Sequence, residues 1–569
     1  MEIEKFLDSW WSDPLSPEME EWVEKTYQDP FSFFQSLATL HKKQSLQPPK
    51  SEVGQSFDFY HDCVLRHVES NNAIISIDES GFIQTWTYKK LHRAVNFQVK
   101  AWSKAGVKPG QVVVLTMAVG LPFFIALLTA LRMGLTLCYL ASSSPYLSHK
   151  HLLSLIDQVQ PAYHIAHKEE AWHASLKCAK IVVENLGEDV EVYDPVSYAY
   201  PADQVMQLSV ALHRQLPFTM VPLDAQTTYL NALRDGIVTL HLKPGVAWAS
   251  TFSCSLRTQP CTTLMGLLGG ATLVHIEEKA FENDPDLLKS EKLHLLGVSP
   301  SLQKFLSKHP ISFGKQLKGY YKSTFSSLST WNVLAHLSKL EDTPAFHCYF
   351  DNSYGGSILI SKPFPGDLNF FLKPGLGLSW YLIDLNGSEE PTLKGLGYFS
   401  PQLTTDENTE KLSNFILAQV DKNMILTSCV EACKEGVTIP TEKIEKTLTQ
   451  LSFVEGCVLH AFPKMGEIAS FQTILLVFVH PLKNNVPEKT KEEWTQSLRH
   501  QISEEIGEAF IPDHIEFYPL VPPKKEGVFD RDWCIEQYSS GKLYKKRESQ
   551  VYQLISALKK LSQETLHVT

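Results

Sequence analysis

TWTYKKLHRAVNFQVKAWSKAGVKPGQVVVLTMAVGLPFFIALLTALRMGLTLCYL, residues 85–140, decides the fold. Leu91, Ala94, Val95, Val99 and Trp102 recur at three- and four-residue spacing and give residues 88–105 one apolar helical face. Gly106 stops that helix, and Lys108-Pro109-Gly110 is a turn. Residues 112–117 are a continuous β-branched and apolar run, the mark of a strand buried on both sides. Pro122 opens a second helix, and Gly134 hands over to a strand at 135–140. Strand, crossover helix and strand make a βαβ unit, which predicts an α/β protein. Residues 112–131 carry no charge and are long enough to span a bilayer. Gly120 and Pro122 split that run, however, and its halves differ in residue type as a strand and a helix should. The expectation is a buried βαβ unit and no membrane span.

Working outward, residues 148–158 and 162–167 read as a helix and a strand, a second repeat of the same unit. His164, His167 and His173 fall together there. As zinc ligands they would need a fourth partner, and they are expected as scattered histidines on a surface strand and loop. In 295–306 a strand is followed by a helix that opens on Ser299-Pro300, a cap and first-turn proline. Residues 18–34 read as a helical lead-in. The expected division is a helical N-terminal extension (1–55), a large domain (56–423), a small domain (424–540) and a basic amphipathic tail helix (541–569). Val551, Leu554, Leu558 and Leu561 share one face of that tail, which could dock on the body or on a partner.

With 569 residues the chain suits a large body plus a smaller one. Its 43% hydrophobic and 20% charged residues are ordinary for a globular protein. A net charge of −11 argues against a nucleic-acid binder, which would show a basic face. Anionic ligands stay open, because a phosphate site needs only a local concentration of N–H groups and a lysine or two. Cys138, Cys261 and Cys457 lie in apolar runs and read as buried free thiols. Cys429 and Cys433 form a close pair, but without nearby histidines they make a poor metal site, and no metal is expected. The acidic start, MEIEKFLDSWWSDP, is unlike a signal peptide. A cytoplasmic location is the expectation.

Several motifs resemble those of the adenylate-forming (AMP-binding) superfamily, and within it the short-chain acyl-CoA synthetases such as acetyl-CoA synthetase. They are Thr87-Tyr88 with Leu91, then Gly106-Val107-Lys108-Pro109-Gly110, then Arg132-Met133-Gly134. Asp29-Pro30 and Phe33 match an element of that family's N-terminal extension. Leu223-Asp224-Ala225-Gln226 is similar to the lead into its phosphate loop, and residues 266–277 are similar to a later marker. The resemblance continues through residues 351–387 and 498–517. It implies an acetyl-CoA synthetase-like fold: a large N-terminal domain of βαβ-built sheets and a smaller α+β C-terminal domain. It also implies ATP, magnesium and CoA as ligands of the active members.

The groups that would do that chemistry are missing from the matching positions. The family places a glycine-rich loop with a lysine after the "Leu-Asp-Ala-Gln" marker, to wrap the triphosphate. Here residues 229–242, YLNALRDGIVTLHL, hold one glycine, Gly236, and Arg234 beside Asp235. They read as a shortened structural connection. Tyr354, Gly355, Gly356 and Ser357 fall on the family's nucleotide loop, with Ser357 on its threonine and Ile358 on its magnesium-holding glutamate. Isoleucine cannot hold a cation that wants oxygen. Ile416 takes the place of the ribose-binding aspartate and loses that anchor. In the hinge, Cys429 replaces the arginine, while Glu431 and Ala432 stand for the two aspartates. Val528 replaces the last lysine, with Lys524 and Lys525 in a nearby loop. The adenine-contacting turn is not recognisable in 329–337. Removing one transition-state donor costs about a hundredfold or more in rate, and adenylation needs magnesium and cationic help on the phosphate oxygens. The expectation is a non-catalytic relative: no catalytic residues, no cofactor, and a role as a binding or regulatory partner, toward another protein or an active relative. The alternatives are a working synthetase using ATP, magnesium and CoA, and a non-catalytic binder of CoA or an acyl group.

Overall fold

The computed structural model describes residues 3–543 except 13–16, 44–46, 69–71, 143, 184–185, 189–196, 212–217, 250–254, 285, 288–292, 310, 312, 314–316, 323–342, 362–363, 366–371, 385–390, 393–394, 403–414, 421–422, 430–431, 435–436, 464–470, 481–486 and 526–527. The expected tail helix therefore lies outside the described residues, as does the segment 329–337.

The βαβ unit forms as its residues dictate. Thr87 caps the helix Tyr88–Lys104 by accepting from Lys90 N at 3.1 Å. Leu91, Ala94, Val95, Val99 and Trp102 are buried along its inner face. The strand Val112–Leu115 pairs in parallel with Thr136–Tyr139 across the helix Leu121–Arg132, in which every residue except Pro122 is buried. A helix apolar all round needs neighbours on all sides, and the uncharged run is thus divided between a strand and a short core helix. No described helix is long and apolar enough to cross a membrane.

That unit sits in a six-stranded sheet ordered Met220–Asp224, Val205–Val210, Thr136–Tyr139, Val112–Leu115, Tyr163–Ala166, Ala179–Val182, parallel apart from the first pair. A second, longer sheet begins as parallel strands, among them Asn72–Ile77, Thr272–Ile276, Ala247–Ala249, Leu295–Val298 and Pro344–Asp351. It continues antiparallel from Gly356–Ser361. The strand Asn423–Cys429 still pairs within this sheet, so the division expected at residue 424 falls inside it. A separate three-stranded sheet, Gly456–Pro463, Phe471–Phe478 and His514–Tyr518, carries the smaller α+β part. The fold is α/β, with a large N-terminal and a smaller C-terminal domain. The two meet where Ala509 N donates to Pro145 O at 2.8 Å and Lys150 pairs with Glu505.

Two expectations need correcting. The lead-in at 18–34 is not one helix: Pro17–Gln28 and Pro30–Lys43 are separate, because Asp29 accepts from Ser32 N at 3.0 Å and caps the second. Of the three histidines only His167 is exposed, as expected. His164 and His173 are each 1% exposed with ring centroids 4.5 Å apart, and Trp172 packs on both. The reason is topological, since Tyr163–Ala166 is an interior strand of its sheet. Among the described residues no group of three potential ligands could hold a metal.

Burial pushes His164 and His67 down to about 3, and His41 and His275 to about 4. These rings stay neutral in the fold while the unfolded chain takes up protons near pH 6.5. Stability is therefore fully present above about pH 6.5 and is lost as the pH falls toward about 4. Thermal midpoints measured between pH 7.5 and 5 should decrease steadily, and His164→Gln should flatten the slope. A midpoint that rises on acidification would contradict this assignment.

Candidate functional site

The strand Pro344–Asp351 ends in a short turn, Asn352–Tyr354, and Gly355 turns the chain back into the strand Gly356–Ser361. Asp351 holds the turn by accepting from Ser353 N at 2.9 Å and from its hydroxyl at 2.6 Å. Gly355 has φ +73°, a left-handed conformation that favours glycine. Of the residues expected at a nucleotide loop, Tyr354 and Ser357 are each 1% exposed and face inward.

Ser357 is already engaged. Its hydroxyl donates to Asp235 Oδ1 at 2.5 Å, and its backbone N–H donates to Asp235 Oδ2 at 2.7 Å. Arg234 Nε donates to Asp235 Oδ1 at 2.8 Å, while Nη2 reaches Ser357 O at 2.8 Å and Nη1 reaches Leu376 O at 3.4 Å. The side chains of Arg234 and Asp235 are 1% and 0% exposed. A Cβ on Gly356 would come within 2.7 Å of Asp235 Oδ2, and one on Gly375 within 2.4 Å of Ser357 O. These two glycines make room for an internal ion pair.

The local chain explains how the pair gets there. The strand Met220–Asp224 passes directly into the helix Ala225–Arg234, capped by Asp224 accepting from Thr227 N at 2.6 Å. No residue is left between them to form a loop. The helix then widens over Asp235–Thr239, with Leu240 N donating to Asp235 O. Gly236 is a packing glycine: its Cβ would lie 2.6 Å from the carbonyl oxygen of Met265. The reading of 229–242 as a structural connection agrees with this geometry. Sequence reasoning missed the role of Arg234 and Asp235, whose available signal was two opposite charges side by side in an apolar run.

The other expected positions are dispersed. Ile358 is buried among apolar neighbours such as Tyr349 and Leu359. Ile416 lies within the strand Phe415–Val420, and Cys429 ends the strand Asn423–Cys429. Glu431 lies outside the described residues. Val528 pairs with Lys525 in a two-residue hairpin, and Lys524 Nζ sits 5.0 Å over the Phe529 ring. The N-terminal helices close over the turn that follows: Tyr27 donates to Pro374 O at 2.8 Å and Glu20 pairs with Lys373 at 2.7 Å. A cavity of about 30 Å³ is lined by Trp248, Thr262 and His275, whose Nε1, Oγ1 and Nε2 atoms find no partner among the described residues. It has room for an ordered water.

No family model matches the sequence, and no curated protein matches it. Solved structures do match. An amide bond synthetase from Marinactinospora thermotolerans aligns over 84% of this chain and 99% of its own, with TM-score 0.67 and 13% identity. The o-succinylbenzoate CoA synthetase from Bacillus subtilis covers 84% and 97%, with TM-score 0.66 and 11% identity. Acetoacetyl-CoA synthetase from Streptomyces lividans covers 93% and 92%, with TM-score 0.59 and 13% identity. The chain has the adenylate-forming ligase fold. At such identities the likeness is one of fold alone, and what this ligase-like chain does must be argued from its own residues.

Breaking a buried ion pair from one side costs about 3–5 kcal/mol, more than replacing both partners by apolar groups. Arg234→Ala and Asp235→Ala should each lower the midpoint of thermal unfolding strongly, and Arg234→Met with Asp235→Leu should lower it less than either. Equal or additive losses would show that the pair is not coupled. Gly236→Ala should also destabilise, since its methyl group would meet backbone.

Proposed function

We propose that this chain does not join carboxylic acids to AMP and acts instead as a non-catalytic binding or regulatory protein built on the ligase fold. The observation that carries the reading is the Asp235 carboxylate fixed against Ser357. On the resemblance, Ser357 stands where a phosphate-contacting hydroxyl belongs. A buried carboxylate bound to that hydroxyl and its N–H takes the donors a phosphate would need. Ile358 offers no oxygen to magnesium. The residues present therefore do not fit ATP with magnesium. On this reading Tyr354, Gly355, Gly356 and Ser357 are the remnant of a nucleotide loop in the large domain, and Glu431 is the remnant of a hinge to the small one. The protein works in the cytoplasm, toward a protein partner or an active relative.

The test is calorimetric titration of the full chain with ATP and magnesium, beside a pyrophosphate-release assay with acetate, propionate and acetoacetate. No heat and no pyrophosphate are expected. Turnover would overturn the reading in favour of a working synthetase, and thermal stabilisation by CoA alone would favour a CoA binder.

A further inference from the structure

A cavity of about 250 Å³ lies between the N-terminal extension and the body. Leu230 and Asn231, on the helix Ala225–Arg234, line one wall; Phe31 and Phe34, on the helix Pro30–Lys43, line the other, and Leu378 borders both. The extension is fixed there by Gly377, at φ +71°, where a Cβ would lie 2.8 Å from the Phe33 ring. Phe34, Leu230 and Leu378 are buried, whereas Phe31 is 59% exposed at the edge of the cavity. The polar groups at the lining are neutral: the amides of Gln226 and Asn231 and the hydroxyls of Thr227 and Ser379. No charged side chain is among the described lining residues.

We propose that this cavity binds a neutral, mainly apolar small molecule of bicyclic aromatic size, with a single polar group directed at the amides. Volume sets the size: a cavity of about 150 Å³ takes benzene, so one of about 250 Å³ admits a second ring. Charge sets the class, because a carboxylate or phosphate entering an apolar space without a cation loses its hydration uncompensated. The ligand would cover Phe31. The proposal does not rest on the loss of adenylation, since a neutral molecule of this kind is neither the acid nor the nucleotide of a ligase.

The probe is 2-naphthol, with 2-naphthoate as its charged counterpart, titrated into the full chain at pH 7.5 by calorimetry and by thermal shift. Saturable binding of 2-naphthol with a raised midpoint is expected, with 2-naphthoate at least tenfold weaker. Leu230→Trp fills the cavity and should abolish binding. Ser379→Trp obstructs the mouth from an exposed position, so it should weaken binding at least tenfold while leaving the midpoint of the free protein unchanged. Absence of saturable 2-naphthol binding, equal affinity for both probes, or wild-type binding by the folded Ser379→Trp variant would overturn the proposal. Heat on adding ATP would instead count against the non-adenylating reading and leave this one standing.

Discussion

A guanidinium with almost no access to water holds together the part of the structure where chemistry would be sought. Arg234 carries five N–H donors and no acceptor, and an isolated buried cation is among the most unfavourable things a protein can contain. Asp235 neutralises it, and the carbonyls of Ser357 and Leu376 take further donors. The end of one helix, the first residue pair of the strand Gly356–Ser361 and the turn after Pro374 are thereby tied to a single point. Their positions are mutually dependent, since moving any one of them leaves a buried hydrogen-bonding group of the pair unsatisfied. A phosphate could not be admitted without dismantling that point.

The fold class was legible because its signals are local. Apolar spacing in residues 88–102 and the change of residue type at Gly120 are set by near neighbours, and the helix and strand edges came within a residue or two of their observed positions. What was not legible depends on distant partners. The burial of His164 comes from its strand lying inside a sheet and from Trp172 folding over it, neither of which a histidine announces. Asp29-Pro30 is compatible with a continuous helix start or with a break, and the side-chain cap to Ser32 decides it. Arg234 and Asp235 were visible as a charged dipeptide, but the groups they serve lie more than a hundred residues further along.

The likeness to ligases at 11–13% identity shows that the fold persists when most residues do not. Gly355 and Gly377 are positions dictated by backbone geometry, since their φ values favour glycine. Ile358 is set by its apolar neighbours and Ser357 by its bonds to Asp235. Architecture and chemistry separate along that line.

The attachment of the N-terminal helices also bears on synthesis. Tyr27 and Glu20 find their partners 347 and 353 residues later in the chain, and Trp11 and His41 theirs 227 residues later. The apolar faces of Ile3–Ser12 and Pro17–Gln28 leave the ribosome more than 300 residues before Lys373 and Pro374 and cannot be fully covered until these have followed. Until then the nascent chain exposes Phe6, Trp10, Met19 and Val23, all fully buried once folded. Long-range closure of this kind is slow. The growing polypeptide is a natural client for chaperones, and production should depend more on their supply than on the stability of the finished molecule.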